Sequence, residues 1–229
     1  MRPNLIYTFD ESVLSSSSTI EFYNKSIYLA KKLGYTIELY TNSNLITESV
    51  DTIHSFSSGY ILSDYTKHLP LSRSDEFVLI DGDVLLHSPI KFSNVDISID
   101  TWESWSSMYN DGVKLVTDLG IKDVIPEWVY KPQKVMNTGI LKINDYEFQQ
   151  LYLNRWNLFY SFIKNSNIKD TFPLTAVGAQ YLLTILVNHY SKSYETFSKY
   201  PRELNKYYQH FCGSEKNNNN RTITTRSII

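Results

Sequence analysis

Asp81 and Asp83 stand two residues apart, with Gly82 between them, directly after the apolar run Phe77-Val78-Leu79-Ile80. Two carboxylates at this spacing are hard oxygen donors suited to Mg²⁺ or Mn²⁺. A cation held this way commonly carries the phosphates of a nucleotide. Gly82 is expected to let the chain turn and to leave room for a metal-bound ligand. The short apolar run suits a strand buried on both faces. Its end is where open α/β sheets bind ligands. The same triplet also fits a polar turn with both carboxylates solvated, and the local residues do not separate the two readings.

Three further places carry possible chemistry. His210-Phe211-Cys212-Gly213-Ser214-Glu215-Lys216 lies far downstream. Its imidazole can complete a coordination sphere begun by two carboxylates. Gly213 would let backbone approach a phosphate, and Lys216 would be a point positive charge for a diphosphate. A core histidine and a solvated lysine are the plainer alternatives. Met136-Asn137-Thr138-Gly139-Ile140-Leu141 places polar residues and a glycine inside a β-rich run. That pattern suggests a strand kink facing a pocket, or an ordinary bulge. Lys67 precedes Asp81 on an expected helix and can reach a phosphate or stay solvated.

The elements that must position these residues alternate. Leu5–Phe9 reads as a strand. Ser18-Thr19-Ile20-Glu21 fits a capping box, and Ile20, Tyr23, Ile27, Ala30 and Leu33 follow at helical spacing. Gly34 sits where a C-terminal cap belongs. Thr36–Tyr40 is the next strand and residues 53–56 a short one. Gly59–Leu69 reads as a helix stopped by Pro70. After the Asp81–Asp83 strand, Val95–Ile99 reads as a strand ending at Asp100. Trp102–Leu119 mixes helix and loop, with Trp102 and Trp105 at a core edge or a sugar-stacking platform. Lys134–Ile143 is strand-like. Asn144 or Asp145 caps a helix whose face is Phe148, Tyr152, Trp156, Phe159 and Ile163. Leu174–His189 is a more apolar helix. Strands alternating with helices, without a dividing linker, imply one α/β domain over residues 1–216. Residues 217–229 form a low-complexity tail expected to be mobile.

Composition narrows the partners. The chain has 229 residues and a formal net charge of -2, with no electrostatic footprint for nucleic acid or an anionic membrane. Its one cysteine, Cys212, excludes an intrachain disulfide. A reducing, cytoplasmic setting is the expectation. No apolar stretch approaches the ~20 residues of a membrane span, and no secretory signal is evident.

Taken together these pieces resemble the GT-A glycosyltransferases, in particular the retaining group related to glycogenin and the bacterial galactosyltransferases of glycosyltransferase family 8. That group's Asp-x-Asp is matched by Asp81-Gly82-Asp83, its Asn-Ser-Gly by Asn137-Thr138-Gly139, and its His-x-x-Gly-x-x-Lys by His210, Gly213 and Lys216. The first strand of the group ends where the nucleotide base is held, and Tyr7, Thr8, Phe9 and Asp10 lie there. An upstream Lys or Arg is matched by Lys67. The order is right from Leu5 to Lys216. The chain departs at Gly178-Ala179-Gln180, which keeps a Gln but lacks the acid before it, and after Lys216, where Asn217-Asn218 stands in place of Pro-Trp.

The resemblance implies a GT-A, Rossmann-like fold with a mixed, mostly parallel central sheet flanked by helices. It implies Mn²⁺ or Mg²⁺ held by Asp81, Asp83 and His210, a UDP-sugar donor, and transfer with retention. Asp100, Asn137 and Gln180 become sugar contacts. Tyr7, Thr8, Asp10, Lys67, Gly82, Gly213 and Lys216 become nucleotide or diphosphate contacts, with Asp81 shared with the ribose. The acceptor is open: a glycan, a protein, a lipid-linked sugar or a modified nucleobase. Two alternatives come from the same residues. Val-Leu-Ile-Asp-Gly-Asp-Val also fits a Mg²⁺-dependent phosphatase of the haloacid dehalogenase type, with Asp81 as nucleophile. A non-catalytic nucleotide-sugar or glycan-binding protein on the same fold is the other.

Overall fold

The computed structural model describes residues 2–211 except 15, 58, 59, 61, 63, 64, 105, 131–133, 167, 169, 170 and 200–203. Trp105, Cys212, Gly213, Lys216 and the 217–229 tail therefore lie outside the described residues. In chain order the elements are β1 (Asn4–Phe9), α1 (Glu11–Leu14), α2 (Ser17–Lys32), β2 (Ile37–Thr41), β3 (Thr52–Ser55), α3 (Tyr65–His68), β4 (Phe77–Ile80) and β5 (Val84–Leu86). They continue with β6 (Ile97–Ser104), α4 (Ser107–Asp118), β7 (Lys134–Ile143), α5 (Tyr146–Asn165), α6 (Phe172–Ala176), α7 (Leu182–His189), β8 (Tyr194–Thr196) and β9 (Tyr208–His210).

Seven strands form one sheet in the order β3-β2-β1-β4-β7-β6-β8. β7 runs antiparallel to both of its neighbours, and every other pairing in the sheet is parallel. This is the mixed, mostly parallel sheet expected from the family resemblance, with helices on both faces. Alternation along β4 sorts its side chains between two cores. Phe77 and Leu79 join the core built with α4, α5 and α7, while Val78 and Ile80 join the one built with α2. A separate ribbon pairs β5 with β9. Neither the short β5 nor the three-residue β9 carries enough pattern to be read in advance.

Several boundaries move for physical reasons. The cap of α2 is Ser16, whose hydroxyl accepts from Thr19 N at 3.2 Å, in place of the expected Ser18. Gly34 does take the left-handed conformation, φ +76°, that a C-terminal cap demands. Of the helix expected over 59–69, the structure shows the turn of α3 followed by a 3₁₀ turn over Leu69–Ser72 that contains Pro70, and residues 59, 61, 63 and 64 lie outside the described residues. β6 does not end at Asp100 but runs on to Ser104, so Asp100 lies inside a strand. The single helix expected over Leu174–His189 is broken by a π-helical segment, Val177–Tyr181. By contrast α5 matches its reading: Asp145 caps it, accepting from Phe148 N at 3.0 Å. Phe148, Tyr152, Trp156, Phe159 and Ile163 are all buried. No helix among the described residues is long and apolar enough to cross a membrane.

Candidate metal centre

β4 emerges from the sheet at Ile80, and the next residues make a tight turn into β5. Asp81 N donates to Gly139 O at 2.8 Å, and Val84 N closes the turn on Asp81 O at 3.1 Å. The turn does not need a left-handed glycine, because Gly82 is absent from the positive-φ residues. Gly82 is required for a different reason: a Cβ there would collide with the ring of Tyr23. The space beside Gly82, expected to serve a ligand, is thus filled by protein. Tyr23 is fixed by its hydroxyl, which donates to Thr8 O at 2.8 Å.

The ribbon brings the distant histidine to this turn. Val84 pairs with His210, and Phe211 N donates to Asp83 O at 3.0 Å. The imidazole Nε2 lies 3.3 Å from Asp83 Oδ1. One ligand atom each from Asp81, Asp83 and His210 fall within 4.8 Å of one another. Adjacent ligands of an octahedral Mg²⁺ or Mn²⁺ ion stand about 3 Å apart and opposite ones about 4 Å. Two carboxylates and an imidazole suit such an ion, so the residues present fit the group. Gly139 completes the cradle. A Cβ there would stand 2.7 Å from His210 Nδ1 and would also collide with Cε1.

Asp100 plays a different part from the one its strand position suggested. It is almost fully buried, and Oδ2 lies 2.5 Å from His210 Nδ1 while Oδ1 accepts from the Tyr208 hydroxyl. A carboxylate on Nδ1 fixes the ring's orientation and turns Nε2 toward the cation position. The bend that allows this is a bulge. β6 and β7 pair Ile99 with Leu141, then Thr101 with Asn137, so Thr138-Gly139-Ile140 stands opposite Asp100 alone.

The electrostatics favour a cation. Burial works against a charged His210, but Asp83 and Asp100 more than offset it and hold its pKa well above the ordinary imidazole value. Burial and then the Asp100 charge push the Tyr208 phenol up, so it stays a donor. Lys67 Nζ lies 2.6 Å from Asp81 Oδ1, at the more exposed end of the cluster. Among the described residues, three carboxylates thus face one lysine and one imidazole.

The other candidates divide. Asn137 reaches the centre: its Oδ1 accepts from Gly139 N at 2.7 Å. Gln180 meets the Tyr109 hydroxyl. Tyr7 does not come to the surface. It is fully buried, 2.9 Å from Ser26 Oγ, and Ser26 in turn donates to Val84 O at 2.5 Å. Asp10 is spent on α1, accepting from Ser12 N at 3.0 Å and from Asn42 Nδ2 at 2.9 Å. Tyr7, Thr8 and Asp10 therefore hold the scaffold beneath the turn. Thr138 Oγ1, buried and with no protein partner among the described residues, adjoins a cavity of about 10 Å³ beside Lys67 and Ala179, the volume of a single water. A wider cleft of about 480 Å³, between Glu76 and Tyr146, shares no residue with the metal cluster. Glu103, which no motif singled out, joins Asn137 through the amide nitrogen. Its neighbours Tyr109 and Gln180 come from other elements, and no spacing signal links the three.

No family model matches the chain, and no curated protein matches it. Among solved structures it is similar to the glycosyltransferase GlyE of Streptococcus pneumoniae TIGR4, with a TM-score of 0.45 and 9% identity. That match covers 86% of this chain and 46% of the other, so the chain spans less than half the length of that structure.

Proposed function

We propose that this protein is a metal-dependent glycosyltransferase that moves a sugar from a nucleotide diphosphate sugar, UDP-linked, to an acceptor. The observation that carries the reading is the Asp81–Asp83–His210 cluster at the end of a central strand, with Lys67 beside it. Asp83 and His210 supply buried ligands, and Asp81 a ligand at the open side. A bound Mn²⁺ or Mg²⁺ supplies Lewis-acid stabilisation of the charge that grows on the departing diphosphate. Lys67 can add a second positive charge to the same phosphates by exchanging Asp81 for phosphate oxygen. Asp100 acts through His210 as a positioning residue. Asn137 and Gln180 orient the sugar, and Gly213 and Lys216 contribute to the diphosphate as the sequence resemblance implies. Retention at the anomeric carbon belongs to the same resemblance. The acceptor would be a glycan, a protein, a lipid-linked sugar or a modified nucleobase.

A thermal-shift titration tests this directly. UDP and GDP are added with and without Mn²⁺, since a ligand that binds only the folded state raises its apparent stability. Stabilisation by UDP that requires Mn²⁺ supports the reading. A response only to Mg²⁺ with a phosphate mimic would turn it to phosphoryl chemistry, and no response to any nucleotide would end it.

A further inference from the structure

Beside the metal cluster, Asn137 and Gln180 are joined by two residues that the proposed chemistry has not used, Glu103 and Tyr109. Glu103, on β6, accepts from Asn137 Nδ2 with Oε1 and from the Tyr109 hydroxyl with Oε2, the latter at 2.7 Å. Tyr109, on α4, is almost fully buried, and its hydroxyl also faces Gln180 Oε1. A phenol has one proton and cannot donate to two acceptors. The carboxylate is the stronger acceptor and takes it. Gln180 must then turn its amide nitrogen toward the phenol oxygen, which releases its carbonyl oxygen as a further acceptor. Asn137 has its carbonyl on Gly139 N and its amide on Glu103, so it is locked between the His210 cradle and this group.

The backbone around Gln180 is built for the purpose. Val177–Tyr181 is π-helical, an arrangement that costs backbone hydrogen-bond quality and concentrates at functional sites. It is also tightly seated, because a Cβ at Gly178 would stand 2.7 Å from the Phe159 ring. Glu103 is only half-buried, whereas Asn137 and Tyr109 are buried. The carboxylate is therefore held from behind and keeps lone pairs for a ligand.

Polarity then sorts the two neighbouring groups. The cation position and Lys67 attract anionic oxygen. Glu103 and the freed Gln180 carbonyl repel it and call for hydrogen-bond donors. We propose that Glu103 and Gln180 form a hydroxyl-recognition subsite, braced by Asn137 and Tyr109, that binds the sugar ring of the donor. This rests on the reading of the protein as a nucleotide-sugar enzyme. One molecule with an anionic diphosphate and a polyhydroxyl ring satisfies both groups at once. Glu103 is thereby a specificity-determining residue, and Tyr109 is a positioning residue.

The test compares ligands that differ only in the ring. Dissociation constants are measured in Mn²⁺ for UDP, UDP-glucose, UDP-galactose and UDP-N-acetylglucosamine, on wild type, Glu103→Gln and Tyr109→Phe, each checked for an unchanged melting temperature. Wild type should bind one UDP-sugar more tightly than UDP. Glu103→Gln should weaken that sugar by roughly tenfold to a hundredfold while leaving UDP itself unchanged, the size of a charged hydrogen bond. Tyr109→Phe should weaken it less, with the same indifference toward UDP. A Glu103→Gln protein that keeps the wild-type preference overturns the subsite alone. A wild type that binds neither UDP nor any UDP-sugar overturns the subsite together with the functional reading. An equal loss of UDP and UDP-sugar would make Glu103 structural and would also overturn the proposal.

Discussion

Two charged groups in this molecule, each built on buried carboxylate, differ in balance. Behind α5, Glu127 is buried and meets Arg155 through three hydrogen bonds of 2.8 to 3.0 Å, and the Tyr190 hydroxyl adds a fourth at 2.8 Å. One carboxylate faces one guanidinium, and the group is closed. At the end of β4, Asp81, Asp83 and Asp100 gather around one lysine and one histidine. Among the described residues, three carboxylates there stand against one lysine and one imidazole. A balanced acidic cluster clamps elements together, whereas one with surplus negative charge holds its geometry in readiness for a cation.

The sharpest way to break the contrast is to remove one member of each. Asp83→Ala should abolish Mn²⁺-dependent UDP binding and transfer, with some loss of stability because Asp83 is a buried partner of His210. Arg155→Ala should act on stability alone, costing about 3–5 kcal/mol by taking the guanidinium from buried Glu127, with metal affinity intact. Paired denaturation and Mn²⁺-binding titrations on the two variants check this, and equal effects on both readouts would erase the distinction.

Gly139→Ala comes next. Its methyl would displace the His210 ring, so Mn²⁺ affinity should fall by roughly tenfold to a hundredfold, the range seen when a ligand loses its orientation. Isothermal titration with Mn²⁺ measures it, and an unchanged affinity would remove His210 from the ligand set.

Acid separates the clusters by sign. Burial raises the Glu127 pKa, but Arg155 and Tyr190 overcome this and bring it down to about 2 from an ordinary 4.5. Its contribution, on the order of 2–3 kcal/mol, is complete above the unfolded value and is lost as pH falls from about 4.5 toward 2. Glu127→Gln should flatten that limb of the stability curve. The metal cluster responds at higher pH. His210 has a raised pKa, so a cation must displace its proton, and Mn²⁺ affinity should climb as pH rises until the imidazole is neutral. A pH-independent affinity would contradict the assignment.

The smallest effect is also the most pointed. Lys67 offsets part of the charge of Asp81. Lys67→Met should make Mn²⁺ alone bind a few-fold more tightly and UDP with Mn²⁺ a few-fold more weakly, by roughly 0.5–1 kcal/mol each. Calorimetry of the two ligands in sequence reads both signs, and a loss of both would mean that Lys67 mainly supports the fold.

Much of the scaffold was legible because it repeats. The stripe from Phe148 to Ile163 and its Asp145 cap determine α5 through local spacing alone. The run Phe77–Ile80 announces a central strand because both of its faces are apolar. Asp81, Asp83 and His210 were legible as ligand types, and the fold brings them together. The misreadings share one cause, which is that tertiary neighbours decide the role of a polar residue. Asp100 looked like a strand-end carboxylate, but the bulge opposite it turns it onto His210. Gly82 looked like ligand space, and Tyr23 occupies that space. Tyr7 sits at the right strand end and points into the core. Glu103 carried no signal, because Asn137, Tyr109 and Gln180 reach it from a strand, a helix and a π segment that are distant along the chain.

The β5–β9 ribbon has a consequence for how the centre comes into being. Asp81 and Asp83 follow β4 directly along the chain, but His210 reaches them on three residues contributed from far downstream. The ion-binding ensemble is thus completed only when that late segment docks, and a bound ion would work as a clasp across a long closed loop. Opening of the ribbon and release of such an ion would be one event. Amide exchange at Tyr208–His210 should slow on adding Mn²⁺, while exchange within α5, anchored by its own core, should not respond.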